Sequence, residues 1–145
     1  MTVRWEPYLW EEPHPANPHE LELLERQWGV KLPEEYKRLV SRHQGMTPEP
    51  GIFKLGEGHD ALSVLLTITV DPEKKPYSVM RVHDVLKPLV PPGVLPFAKT
   101  PGGEFVCFDY RETPHQPRVV HVSVELLITP IAESFSAFLD ALQDG

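Results

Sequence analysis

The spacing of apolar residues switches along this chain from helical to alternating and back to helical, and this order restricts the fold more than any other feature. Asn17 and Pro18 are typical of a helix start and Gly29 of a helix end, with apolar residues recurring every three or four positions between them. A second pattern of the same kind begins at Pro33 and ends at Gly45. These two segments predict a helical hairpin near the start of the chain.

Beyond residue 50 the spacing becomes that of strands. Apolar residues occupy every second position over residues 61–70, which predicts a strand, and residues 95–99 predict another. Residues 79–86 fit either a short helix or a strand. The chain closes with a third helix that we predict to start at Thr129 and Pro130. The apolar face of that helix is formed by Ile131, Phe135, Phe138, Leu139 and Leu142.

The best hairpin candidate pairs residues 104–110 with residues 118–124 across a proline-containing loop. If Tyr110 lies opposite Arg118, then Cys107 lies opposite His121. The proposed register therefore decides whether a thiol and an imidazole face each other.

Helices followed by several strands and a closing helix predict an α+β fold with a mostly antiparallel sheet and helices packed on one face. A parallel α/β sheet would need strands and helices in strict alternation. We predict that residues 1–145 form a single domain, because this length is the commonest for one. Residues 1–17 are rich in proline and lack helical spacing, so we expect an extended N-terminal arm.

Charge is unevenly distributed along the chain. The net charge is −7, and residues 1–35, with eight acidic and three basic residues, carry −5 of it. An acidic surface repels phosphate backbones and attracts basic proteins, so we expect no nucleic-acid or anionic-membrane partner and favour a basic protein partner. Solubility alone would explain the same charge equally well.

Compartment signals favour the cytoplasm. No apolar run approaches the roughly 20 residues that a membrane-spanning helix needs. The first residues lack the charged and then apolar layout of a secretory signal. Cys107 is the only cysteine, so no intrachain disulfide can form.

Candidate catalytic and metal-binding patterns are weak. Cys107 and His121 could be a nucleophile and its base, but a lone cysteine between aromatic residues of a strand is more often a small buried apolar residue. The seven histidines have no metal-ligand spacing, and Gly102-Gly103 is not followed by the Lys-Ser or Lys-Thr of a phosphate-binding loop. We therefore predict no catalytic residue, no metal ligand and no cofactor.

Several short motifs occur in an order typical of one superfamily. They are Trp28-Gly29, Leu32-Pro33-Glu34-Glu35-Tyr36-Lys37, His43-Gln44-Gly45, Leu95-Pro96-Phe97-Ala98, Gly102-Gly103-Glu104 and Ile131-Ala132-Glu133-Ser134-Phe135. Over residues 18–142 the chain resembles the SUKH superfamily, which includes the bacterial relatives of a yeast cell-wall-synthesis regulator. One departure is that Gln44-Gly45 stands where the superfamily usually has Asn-Gly at the end of the second helix.

The resemblance implies an α+β fold without catalytic activity. Many bacterial members are similar to immunity proteins that neutralise a toxin, often a nuclease, and others are similar to regulatory adaptors. We therefore expect a non-catalytic protein-binding module, and most specifically an immunity-type inhibitor of a basic bacterial toxin. The alternatives are an intracellular regulatory adaptor or scaffold and, third, a small hydrolase, which would need a pocket with convergent polar groups.

The acidic arm and the first helix are the predicted contact surface. Trp5, Tyr8 and Trp10 could be aromatic anchors, with Glu11 and Glu12 as steering charges. Packing of these aromatic side chains onto their own domain is the competing interpretation and the favoured one, because Trp and Tyr bury much surface in a core.

Overall fold

A computed structural model describes residues 3–144 of the chain; residues 1, 2 and 145, which belong to the predicted domain, lie outside the described residues. The α-helices are α1 (Pro18–Trp28), α2 (Glu34–His43), α3 (Val79–Leu86) and α4 (Phe135–Asp140), and a 3₁₀ helix covers Pro72–Tyr77. The strands are β1 (Arg4–Glu6), β2 (Thr47–Glu49), β3 (Ile52–Leu55), β4 (Gly58–Ala61), β5 (Val64–Leu65), β6 (Val94–Lys99), β7 (Phe105–Asp109), β8 (Arg118–Val122) and β9 (Ile128–Ala132).

The largest sheet has five antiparallel strands in the order β5-β6-β7-β8-β9. Two smaller antiparallel pairs, β1-β2 and β3-β4, lie outside it. The predicted α+β class with a mostly antiparallel sheet is therefore confirmed. None of the helices within residues 3–144 is long and apolar enough to cross a lipid bilayer.

Aromatic side chains join two helices to the sheet. Tyr36 of α2 is fully buried and packs edge to face on Phe108 of β7, with ring centroids 5.0 Å apart. Phe135 of α4 packs on the same Tyr36 ring at 5.6 Å, and Phe97 of β6 stacks on Phe108 at 4.4 Å. Helices α2 and α4 thus cover one face of the sheet. Aromatic pairs of this geometry add to the stability that burial already provides.

The ends of the first helix follow from local capping. The side chain of Asn17 accepts a hydrogen bond from the backbone of His19, and Glu20 accepts one from the backbone of Asn17. Gly29 ends the helix in the left-handed conformation with φ of 68°. The predicted start and end of α1 are confirmed, and the ambiguous residues 79–86 form a helix.

The predicted strand over residues 61–70 is wrong in extent, because only Val64–Leu65 pairs as a strand in the large sheet. Further along, the N–H groups of Ile68 and Thr69 donate to the side-chain oxygen of Gln44, at 2.8 and 3.1 Å, instead of to a neighbouring strand. The side chain of Gln44 thus accepts the backbone hydrogen bonds that a neighbouring strand would otherwise accept. The alternation of apolar residues does not show which group accepts them.

The predicted register of the β7-β8 hairpin is wrong by one residue. Asp109, not Tyr110, lies opposite Arg118, so Cys107 pairs with Val120 and His121 pairs with Val106. A slip of one residue moves every side chain to the other face, so Cys107 and His121 lie on opposite faces of the sheet. The buried carboxylate of Asp109 fixes this register, since it pairs with Arg118 at 3.3 Å.

The predicted start of the last helix is also wrong. Thr129 and Pro130 belong to β9, the edge strand of the sheet, where proline is tolerated. Helix α4 begins only after Ser134, whose hydroxyl accepts a hydrogen bond from the backbone of Ala137 at 3.1 Å.

The N-terminal segment lies along the end of α2. Strand β1 pairs with β2, the N–H of Leu9 donates to the carbonyl of Gly45 at 3.0 Å, and the N–H of Ala16 donates to the carbonyl of Ser41 at 3.0 Å. Backbone hydrogen bonds therefore attach residues 4–16 to the rest of the fold at three places.

Gln44 joins this segment to the middle of the chain. Its side chain is fully buried and its amide nitrogen donates to the carbonyl of His14 at 2.6 Å and to the hydroxyl of Thr69 at 2.9 Å. Its oxygen accepts from the N–H groups of Ile68 and Thr69. Two donors and two acceptor positions of one amide are thus all used.

We expect the substitution Gln44→Leu to lower the free energy of unfolding by about 2–4 kcal/mol, because it leaves two backbone N–H groups and a carbonyl without their partner. Chemical denaturation followed by circular dichroism measures the change. Gln27→Leu, at an exposed position of α1, is the matched control and should change stability by less than about 0.5 kcal/mol. Equal effects of the two substitutions would contradict the role of Gln44.

Candidate functional site

Two of the predicted anchor residues pack on their own domain. The Trp10 ring stacks on His14 with centroids 4.1 Å apart, and its indole N–H donates to Asp71 at 3.0 Å. This hydrogen bond, followed by one from the backbone of Glu73, lowers the pKa of Asp71. The Trp5 ring stacks on His43 at 5.9 Å. Both indoles are half-buried, so the arrangement favours the competing interpretation for these two residues.

Trp10 also lies against Gly45, which has φ of +75°. A Cβ atom at this glycine would come within 2.7 Å of the Trp10 ring. The close approach of the indole and the left-handed backbone both require glycine at this position. The segment that carries Trp10 is thereby held in one place.

The remaining predicted contact residues are exposed. Tyr8 keeps 51% of its surface accessible, and Glu11 and Glu12 are exposed immediately after Trp10. One aromatic side chain and two carboxylates therefore project from a backbone that Trp10 fixes. Such an arrangement can contact a protein partner with little ordering of the segment on binding.

An apolar groove that no sequence pattern predicted lies between α1 and α3. It has a volume of about 220 Å³. Its apolar lining consists of Leu23, Leu24, Ile68, Val70, Val79 and Met80. Leu23 and Val70 are 42% and 56% exposed. The only sign of this groove in the sequence is Leu23, an apolar residue that lies outside the buried face of α1. Periodicity alone does not distinguish it from an ordinary surface leucine.

Beyond this groove, the two helices are joined by a hydrogen bond. The indole N–H of Trp28 donates to Nδ1 of His83 at 3.2 Å, and the two rings pack edge to face with centroids 5.5 Å apart. The bond requires Nδ1 without a proton. Burial, followed by the nearby charge of Lys87, lowers the pKa of His83.

A wider open groove of about 970 Å³ lies beside the end of α1. Two of its polar groups are already engaged within the fold. Glu25 accepts from the N–H of Leu32 at 2.7 Å and pairs with Lys37 at 3.5 Å, and the Tyr110 hydroxyl donates to the carbonyl of Lys31 at 2.7 Å. These contacts stabilise the helical hairpin.

The suggested nucleophile and base are not brought together. Cys107 is fully buried on the face of the sheet opposite His121, and burial, followed by the charge of Asp109, raises the pKa of its thiol. A thiol that is buried and protonated is a poor nucleophile. Cys107 therefore has the packing role that its position between aromatic residues favoured.

His121 instead contacts two carboxylates. Its Nε2 atom lies 3.0 Å from an oxygen of Asp60 and 3.2 Å from an oxygen of Glu104. His121 is only 3% exposed, and the two carboxylate side chains are 21% and 23% exposed. No spacing in the sequence groups these residues, because Asp60 and Glu104 are 61 and 17 positions from His121 and the grouping depends on the observed register.

Residues 15–141 match the protein family described as SMI1 / KNR4 family (SUKH-1). The comparison with curated proteins found no match. The matched range includes all four α-helices and the five-stranded sheet. It also includes the groove between α1 and α3 and the contacts of His121, whereas the exposed residues Tyr8, Glu11 and Glu12 precede it.

We expect the Cys107 thiol to react with a thiol-specific reagent only after unfolding, since it is buried and its pKa is raised. The measurement compares reaction rates in buffer and in denaturant. Val124→Cys, at a side chain that is 69% exposed, supplies a control thiol that should react at once in buffer. Fast labelling of wild-type Cys107 in the folded state would contradict the assigned packing role.

We expect part of the folding stability to be lost as the pH falls below about 6.5, the ordinary pKa of histidine. The folded protein binds fewer protons at His83 than the unfolded chain does. The contribution of His83 to the free energy of unfolding is therefore present above that pH and is lost as the pH falls through the lowered pKa. Urea unfolding at pH 7.5 and 5.0 measures it.

His83→Gln should reduce this pH dependence, because the amide oxygen can accept from Trp28 at either pH. His115→Gln, at an exposed loop position, is the control and should retain the wild-type dependence. An unchanged pH dependence in His83→Gln would show that the Trp28–His83 contact does not titrate.

Proposed function

Because the chain belongs to the SMI1/KNR4 (SUKH-1) family, we propose that it is a non-catalytic protein-binding module, and specifically an immunity-type inhibitor of a bacterial toxin. The family match over residues 15–141 is the observation on which this proposal rests. The resemblance to the SUKH superfamily implies binding rather than catalysis, and many bacterial relatives are similar to immunity proteins.

The absence of catalysis is supported by the sheet register. The one nucleophile and base pair that the sequence offered lies on opposite faces of the sheet, and its thiol is buried. A small hydrolase would need another nucleophile with an adjacent base. The proposal therefore assigns no catalytic residue and no cofactor to the chain.

The contact surface that we propose is the part of the arm that Trp10 fixes. Tyr8 would be the aromatic anchor, with Glu11 and Glu12 as steering charges. Because Trp10 is held by Asp71 and by the close approach to Gly45, these three side chains are presented by an ordered backbone. Trp5 and Trp10 would contribute by positioning the arm.

A basic protein partner suits this surface. Nuclease toxins bind phosphate backbones and tend to be basic, whereas the chain has a net charge of −7. Complementary charge accelerates association more than it strengthens the final complex.

We propose the cytoplasm as the place of action and a single domain with the arm at residues 1–17.

An intracellular regulatory adaptor is the second candidate function. It shares the binding chemistry and differs in the kind of partner. Capture from a lysate of the source organism, with partners identified by mass spectrometry, separates the two. A basic toxin would favour the immunity function, whereas cell-envelope or regulatory proteins that bind the same arm would favour the adaptor.

We expect the double substitution Glu11→Lys and Glu12→Lys to lower the association rate with the captured partner by about tenfold at low salt, because attractive steering is replaced with repulsion. The difference should shrink as salt screens the charges. Stopped-flow kinetics at two salt concentrations measures both effects.

Glu57→Lys with Glu133→Lys is the matched control, since both positions are exposed and the change in net charge is the same. It should change the association rate much less than the arm variant does. Equal rates for wild type and the arm variant at low salt would contradict the steering role of Glu11 and Glu12.

A further inference from the structure

Three potential metal ligands converge from separate parts of the fold. Asp60 comes from β4, Glu104 from the residue before β7, and His121 from β8. One side-chain ligand atom of each lies within 4.8 Å of the others. The histidine is almost fully buried, and both carboxylate side chains are partly exposed to solvent.

The charge of this cluster is not balanced by the histidine. Two carboxylate oxygens approach the same nitrogen, Nε2 of His121, at 3.0 and 3.2 Å. A ring nitrogen can donate only one hydrogen, and even a protonated imidazole carries one positive charge against two negative charges. A divalent cation would balance both carboxylates and bind the ring nitrogen as well.

The separations suit an ion of small radius. Tetrahedral Zn²⁺ binds nitrogen and oxygen at about 2.0–2.2 Å, which places neighbouring ligand atoms roughly 3.3 Å apart. The two distances from Nε2 are close to that value. Imidazole combined with carboxylates suits zinc and similar transition ions better than it suits Mg²⁺ or Ca²⁺.

Backbone groups hold the outer oxygen of each carboxylate. The N–H of Ala61 donates to Oδ1 of Asp60 at 2.8 Å, and the N–H of Val124 donates to Oε2 of Glu104 at 3.3 Å. The other oxygens, Oδ2 and Oε1, are the ones that face His121. Contacts of this kind orient ligands around metal sites.

The position of Asp60 is unusual for an acidic residue. It pairs with Phe53 across the β3-β4 hairpin, so both side chains lie on the hairpin face that packs against the sheet. Phe53 is fully buried and its ring centroid lies 6.5 Å from that of His121. A carboxylate at the edge of an apolar contact needs a partner of opposite charge.

We propose that Asp60 Oδ2, Glu104 Oε1 and His121 Nε2 form a binding site for one divalent transition-metal ion of the zinc class, with water as the fourth ligand. The ion connects the β3-β4 hairpin to the five-stranded sheet. Its role is structural, because it adds cross-links between elements that also meet through the apolar contact of Phe53.

Zinc titration of the chelator-stripped full chain by calorimetry tests the proposal, with the metal content of the loaded protein measured by mass spectrometry. We expect one Zn²⁺ per chain and a thermal unfolding midpoint that rises with zinc concentration, since an ion that binds the folded state stabilises it. Asp60→Asn and Glu104→Gln keep the shape of each side chain and should each weaken zinc binding at least tenfold.

His59→Gln and Glu57→Gln are the controls, because both side chains are exposed and His59 lies on the hairpin face opposite Asp60. Zinc affinity should be unchanged in both. Zinc bound as tightly by the Asp60 and Glu104 variants as by wild type would overturn the proposal in favour of the exposed histidines. So would the absence of stoichiometric binding to a wild-type chain whose circular dichroism shows it to be folded.

Discussion

One buried amide, the side chain of Gln44, connects the end of α2, the N-terminal segment and residues 68 and 69. Gln44 receives the backbone of residues 68 and 69 on its oxygen and offers its nitrogen to the N-terminal segment and to Thr69. Polar groups removed from water must find partners, so loss of the amide would leave these groups unpaired and make the burial of this region less favourable. Where the resemblance to the superfamily implies Asn-Gly, this chain has Gln44-Gly45, and the side chain of Gln44 makes four hydrogen bonds within the fold.

A second buried polar group, the carboxylate of Asp109, determines which side chains lie on each face of the sheet. Asp109 has no exposed side-chain surface and pairs with Arg111 and Arg118. Burial opposes its ionisation, but the hydrogen bonds from the two arginines prevail and lower its pKa. The pair of Asp109 with Arg118 sets the β7-β8 register, and in that register Cys107 lies on one face of the sheet and His121 on the other. The face that carries His121 then meets Asp60 of the β3-β4 hairpin.

The features that could be predicted from the sequence are those that depend on residues close together in the chain, such as the ends of a helix. Asn17, Glu20 and Gly29 define α1 because caps act within one turn. The α+β class followed from the order of the elements. The register of the hairpin could not be predicted, since apolar alternation allows both pairings and the buried ion pair of Asp109 with Arg118 across the strands favours one of them. The grouping of Asp60, Glu104 and His121 depended on that register and on a separate hairpin, so no spacing in the sequence indicated it.

The edges of the five-stranded sheet carry a consequence for how the molecule behaves at high concentration. An open strand edge can recruit a strand from a second molecule and begin aggregation. Here one outer strand, β5, has only two paired residues, and the other, β9, contains Pro130, which has no N–H to offer. The irregularity between Val119 and Val120 further disturbs the ladder beside β9. The same proline that conceals this strand from sequence analysis thus protects the sheet from edge-to-edge association.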